Sequence, residues 1–129
     1  MKDLTKEWVN KAEKDFQVAK REFAAKPPEY DAVCFHSQQC VEKYMKAVLQ
    51  ENNIFFEKTH DLDVLLEKCK AFIPGLAGLK QELVELSSFA VEIRYPGAEA
   101  TGEEAEKYLS VAEAVRKIIR TYLKLTTDR

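Results

Sequence analysis

Leu4, Trp8, Ala12, Phe16, Ala19 and Phe23 follow one another at steps of four, four, four, three and four residues. Steps of that size keep apolar side chains on one face of an α-helix. The spacing predicts a first helix over about 3–25, with Asp3 as its N-cap. Pro27 and Pro28 end it, because the residue before a proline is pushed out of the α region. A second helix is predicted over about 31–52, with Val33, Cys40, Val41, Tyr44 and Val48 in one apolar stripe and Phe35, Met45 and Leu49 on other sides. A helix that is apolar on more than one face touches several neighbours or a second subunit. Asn52 and Asn53 suit its C-terminal end.

The third helix is expected to begin at Thr59-His60-Asp61, with Thr59 as N-cap and Leu62, Leu65 and Leu66 buried. Pro74-Gly75 breaks it. A fourth runs over about 76–93, with Leu79, Leu83, Leu86 and Ala90 in register, and Pro96-Gly97 closes it. The fifth opens on Thr101-Gly102-Glu103-Glu104, a capping box in which Thr101 is the N-cap and Glu104 stands at N3. Its apolar positions are Tyr108, Val111, Val115, Ile118, Tyr122 and Leu125, and the tail over 126–129 is expected to fray. Only 4 Gly and 4 Pro are available for turns in 129 residues. Long helices with short connections use such a chain well, and an all-β fold does not. The predicted fold class is all-α: an up-and-down bundle of four to five helices, forming one domain over 1–129.

Composition limits the function. Hydrophobic residues make up 46% and charged residues 33%, which is a core-forming balance. The net charge of -2 supplies no overall field toward nucleic acid or an anionic membrane, although a local basic patch is compatible with it. Cys34, Cys40 and Cys69 are odd in number and form no secreted disulfide framework. The charged start, Met1-Lys2-Asp3-Leu4-Thr5-Lys6-Glu7, lacks the apolar stretch of a signal peptide. No apolar run approaches the ~20 residues of a membrane span. The expected setting is cytoplasmic, with no membrane partner.

Three segments carry chemistry. On the second helix lies Cys34-Phe35-His36-Ser37-Gln38-Gln39-Cys40-Val41-Glu42-Lys43-Tyr44-Met45-Lys46-Ala47; at the start of the third lies Thr59-His60-Asp61-Leu62; at the end of the fourth lies Arg94-Tyr95-Pro96. Arg94 offers five donors in a rigid fork suited to phosphate. Its plainer role is that of a cation at the negative end of a helix dipole. Gln39, Lys43 and Lys46 share one band of the second helix, where amides can read a base edge and lysines can hold a phosphate. The ordinary alternative is a solvated face, with Glu42 and Lys46 as an i,i+4 pair. His36 and Cys40 share a face, but Cys34 lies about 200° away, so a metal site is not expected and Cys40 reads as a small core hydrophobe. His36 reads as a hydrogen-bonded histidine that joins a ligand site if partly exposed. His60 stands at a helix N-terminus that could draw an anion, but Asp61 already occupies that positive end, which favours a structural role for both. Trp8, Phe16, Phe23 and Tyr108 follow helical spacing and read as core.

In this order and spacing, the three segments resemble a prokaryotic HEPN domain protein, and the likeness covers nearly the whole chain. Trp8, Ala12 and Asp15 on the first helix fit it too. The resemblance implies a helical bundle, a homodimer, and action beside a minimal nucleotidyltransferase partner in a toxin–antitoxin-like or defence module. Other branches of the family are metal-independent ribonucleases in which an Arg is followed by a His with four to six residues between them. At the corresponding positions after Arg94 stand Glu99, Ala100 and Thr101. None is His, and the Tyr-containing extension modified in some toxin members is absent. The expectation is therefore binding over catalysis, with no cofactor and no metal. The candidate ligand residues, for a nucleotide or RNA, are Arg94, Tyr95, His36, Gln39, Lys43, Lys46 and His60. The alternatives are a ribonuclease pairing Arg94 with His36 or His60, and a purely structural interaction partner.

Overall fold

The computed structural model describes residues 1–127. Five α-helices follow in order: α1 (Asp3–Ala24), α2 (Tyr30–Glu51), α3 (Leu62–Cys69), α4 (Lys80–Glu92) and α5 (Gly102–Tyr122). No strand occurs among the described residues. The all-helical bundle expected from the spacing is the fold observed.

The many-sided apolar pattern of α2 has the consequence expected of it: α2 packs against α1, α3, α4 and α5. Val33, Cys40, Val41, Tyr44 and Val48 are fully buried, and so are Met45, Ala47 and Leu49 on its other sides. Each large side chain removed from water contributes about 1.5–3 kcal/mol before entropy is subtracted. Phe16 and Tyr108 join this core, while Trp8 and Phe23 pack against it half-buried. Cys34, Cys40 and Cys69 are free thiols in the interior. Burial pushes the thiols of Cys34 and Cys69 up to about 12, and that of Cys40 well above its ordinary range. The thiolate is the reactive form. A disulfide-exchange reagent at mildly alkaline pH should therefore label no cysteine in the folded protein and all three after denaturation. Rapid labelling without denaturant would contradict this packing.

Three local expectations are corrected. Asp3 is not the cap of α1 but its first residue; Lys2 precedes it without a side-chain cap bond. Instead Glu51 Oε1, at the end of α2, accepts from Lys2 N (3.1 Å) and Thr5 Oγ1 (2.9 Å), so a neighbouring helix serves this terminus. The cap of α3 is Asp61, not Thr59: Asp61 Oδ1 accepts from Asp63 N at 2.9 Å, while Thr59 Oγ1 accepts from Asp61 N at 3.1 Å in the turn before. The expected fourth helix divides into a 3-10 segment, Pro74–Leu79, and α4. A three-residue turn sets Leu76 and Leu79 on the same side, which lets both reach the core despite Gly75 and Gly78. The capping box of α5 is present as expected.

Of the tail expected to fray, residues 126 and 127 lie beyond the end of α5 and pack back on it. Lys124 takes φ 61, and the chain folds back so that Arg120 Nε donates to the Thr126 carbonyl (2.5 Å) and Arg116 Nη1 to that of Thr127 (3.5 Å). The rest of that expectation falls on Asp128 and Arg129, outside the described residues. No helix among the described residues is long and apolar enough to cross a membrane.

Candidate functional site

Two polar clusters lie along α2, each built on one carboxylate. Asp15 of α1 stands inside the apolar face of its helix, between Ala12 and Ala19, and is 8% exposed. Its oxygens meet His36 Nδ1 at 2.8 Å and Lys43 Nζ at 2.6 Å. Glu42 is the second centre, at 3% exposure. It accepts from Lys46 Nζ (2.9 Å) and Gln38 Nε2 (3.2 Å), and meets His60 Nδ1 at 3.0 Å. Gln39 bridges the clusters' neighbourhood, its Nε2 donating to Gln38 Oε1 (2.7 Å) and toward Glu42 Oε1 (3.4 Å). The polar face of α2 is thus not a solvated one. Gln38, Glu42 and Lys46 are buried, because α1, the 52–61 connection and α4 close over them.

Lys46 is held on several sides. Its ammonium pairs with Glu42 and stands 5.5 Å from the Trp8 ring centroid and 5.9 Å from that of Phe56. The expected Gln39–Lys43–Lys46 band therefore separates, with Lys43 turned to Asp15 and Lys46 turned inward.

His60 is the exposed member of the second cluster, with 69% of its side chain accessible. An ionised carboxylate can only accept, so the ring presents its Nδ1–H to Glu42. The backbone of His60 is pinned as well: its carbonyl accepts from Gln38 Nε2 (2.9 Å) and Ser87 Oγ (3.5 Å). Ser87 Oγ also accepts from Leu62 N (3.1 Å), which ties the start of α3 to α4.

Arg94 follows α4, and its guanidinium carbon lies 5.0 Å from the Phe35 ring centroid. Phe35 in turn packs edge-on to His36, with centroids 5.2 Å apart. A cleft of about 420 Å³ between α2, α3 and α4 is lined by Gln38, His60, Asp61, Asp63, Ser87, Ser88 and Arg94, with Val84, Ala90 and Val91 as its apolar wall. It brings together one residue or more from each of the three sequence segments. His36, Gln39, Lys43 and Lys46 do not line it but connect to it through Phe35, Gln38 and Glu42. Tyr95 is 65% exposed and lies outside it. Asp15 and Glu42 organise the two clusters, a role not expected of them from the sequence, where Asp15 stands only as fitting the family pattern and Glu42 only as the i,i+4 partner of Lys46. The available signal was a charge inside an apolar stripe for Asp15, and for Glu42 a position beside Val41 on a helix that is buried all round.

A third network is separate from these. Glu13 accepts from Arg116 Nε (2.7 Å) and Nη2 (2.8 Å) and from the Tyr44 hydroxyl (2.5 Å). Burial pushes its carboxyl up, but the bonds from Arg116 and Tyr44 and the charges of Arg116 and Arg120 outweigh that and hold it below its ordinary value.

Known proteins agree with this architecture. The model of the HEPN domain matches residues 5–122. A Methanocaldococcus jannaschii protein named "Putative toxin MJ1304" is 33% identical over 133 aligned positions, covering 91% of this chain and 86% of that protein. The crystal structure of ST0689, described as an archaeal HEPN homologue, aligns with a TM-score of 0.71 at 26% identity, over 94% of this chain and 98% of that one. The chain belongs to the HEPN domain family.

Proposed function

We propose that the protein is a nucleotide- or RNA-binding HEPN module that works as a homodimer and as the partner subunit of a nucleotidyltransferase. The observation that carries this reading is the α2–α3–α4 cleft, which gathers Gln38, His60 and Arg94 at one opening. Arg94 supplies a guanidinium fork for a phosphate. Gln38 and the serines supply hydrogen-bonding groups for a sugar or base edge. Asp61 and Asp63 on the same wall repel a highly charged polyphosphate and favour a ligand with few charges, such as a nucleotide end. Val84 and Val91, 40% and 50% exposed beside the cleft, provide an apolar margin for a second copy. The toxin designation in the name of the Methanocaldococcus jannaschii relative favours a toxin–antitoxin-like role.

Calorimetry with mononucleotides tests the ligand, and co-purification with a nucleotidyltransferase encoded beside the gene tests the partner. Arg94→Ala should weaken nucleotide binding about tenfold or more, the loss expected for a charge-assisted contact. No nucleotide binding and no complex would end this reading.

One observation favours a second reading, a metal-independent ribonuclease. Glu42 fixes the tautomer of His60, whose Nε2 is then a ready base in a cleft that also holds Arg94. Here His60 takes the 2′-hydroxyl proton and Arg94 steadies the phosphate. RNA incubated in chelator with wild type, His60→Ala and Arg94→Ala decides it: equal activity in all three rejects the idea.

A further inference from the structure

A second cleft, of about 360 Å³, shares no lining residue with the first and lies where α1 and α5 meet the returning tail. Among the described residues that line it, Lys6, Arg116 and Arg120 face Glu13 as the one carboxylate. Arg116 and Arg120 are 2% and 9% exposed. Glu13 is committed to Arg116 and Tyr44 and stays 3.9 Å from Arg120. The hydrogen bonds of Arg120 go to neutral oxygens: the Tyr44 hydroxyl at 3.1 Å and the Thr126 carbonyl at 2.5 Å. Tyr44 stays neutral, since burial and the adjacent Glu13 push its phenol up. Among the described residues, two interior guanidiniums thus share one carboxylate, and backbone carbonyls of the tail fill the remaining place. A buried cation is better matched by a charge than by neutral acceptors.

We propose that this cleft is an oxyanion site, taking a phosphate group between Arg116 and Arg120 with Lys6 at its rim. The Thr126 and Thr127 carbonyls hold the guanidiniums until the anion arrives, and phosphate binding releases the tail. The group is either free phosphate or the terminal phosphate of a monoester. This site is independent of the cleft assigned to nucleotide binding above.

Titration of the full-length protein with inorganic phosphate and, in a parallel arm, with AMP tests it. Nitrogen resonances of the arginine Nε groups report on Arg116 and Arg120 directly, and hydrogen exchange follows residues 125–127. Saturable shifts at both arginines with inorganic phosphate, and faster exchange of the tail, are expected. Arg120→Gln should weaken binding about tenfold or more, and Arg120→Lys, which keeps the charge but not the fork, by less. Arg94→Ala should leave this binding unchanged. Tighter binding of AMP than of inorganic phosphate, still sensitive to Arg120→Gln, identifies a monoester as the ligand. No saturable shift at either arginine in wild type, or binding lost in Arg94→Ala but kept in Arg120→Gln, overturns the proposal.

Discussion

Glu42→Ala should lower the unfolding free energy by about 3–5 kcal/mol, the cost of removing one member of a buried ion pair. Lys46 is the reason. Its ammonium is nearly inaccessible, with 7% of the side chain exposed, and without Glu42 its nearest favourable partners are the rings of Trp8 and Phe56. A cation–ring contact contributes on the order of 1–2 kcal/mol, too little to replace a carboxylate. His60 loses its anchor in the same substitution, so the variant should also change the ring resonances of His60 seen by NMR. Glu42→Gln preserves the shape and one acceptor oxygen, and should cost less. Chemical denaturation of the three proteins measures these differences. A loss below about 1 kcal/mol for Glu42→Ala would mean that Lys46 reaches water when unpaired, as an exposed pair does.

Glu13→Ala should cost about 3 kcal/mol, toward the lower end for a broken buried pair because 23% of the Glu13 side chain remains accessible. It removes the carboxylate that Arg116 and Arg120 share among the described residues and detaches the Tyr44 hydroxyl from α1. The same network makes stability depend on pH. The carboxyl of Glu13 lies lower in the folded chain than its ordinary value of 4.5. Its contribution is therefore fully present above that ordinary value and is lost as pH falls through the folded one. Acid titration of Glu13→Gln against wild type checks the sign: wild type should lose stability more steeply below about pH 4.5, the ordinary carboxylate range. Parallel acid curves would place the effect on other groups.

Both predictions concern residues whose identity was plain in the sequence and whose environment was not. The helices themselves were legible. Their signals act within one or two turns: the four-residue steps of α1, the stops at Pro27 and Pro96, and the Thr101–Glu104 box. The errors at helix starts have the same scale. Thr59 and Asp61 both look like caps from sequence, and the choice fell to Asp61 because Ser87 of α4 binds Leu62 N and fixes where α3 begins. At the start of α1, the helix begins one residue earlier than expected, at Asp3, and Glu51 from the far end of α2 binds Lys2 N and the Thr5 hydroxyl beside it.

The candidate site was legible only as a set of residue types. Arg94, His60 and the Gln38–Lys46 stretch were singled out, and the cleft joins members of all three segments. The Glu42–Lys46 pair was legible as an i,i+4 contact, but nothing local showed that Lys43, on the same helical band, would turn to Asp15. Nor did spacing indicate that Gln38 and Glu42 would be enclosed, because a polar face reads the same whether water or another helix covers it.

The sequence by itself determined five helices, their approximate limits, the many-sided role of α2 and the membership of the HEPN family, because periodicity, prolines, caps and short motifs are local properties. The tertiary structure decided which charges are interior and which are paired. Glu42 meets His60 from 18 positions away, and Glu13 meets Arg116 from 103. Electrostatics at such separations depends on distance and on exclusion of water, and both exist only once the helices have packed.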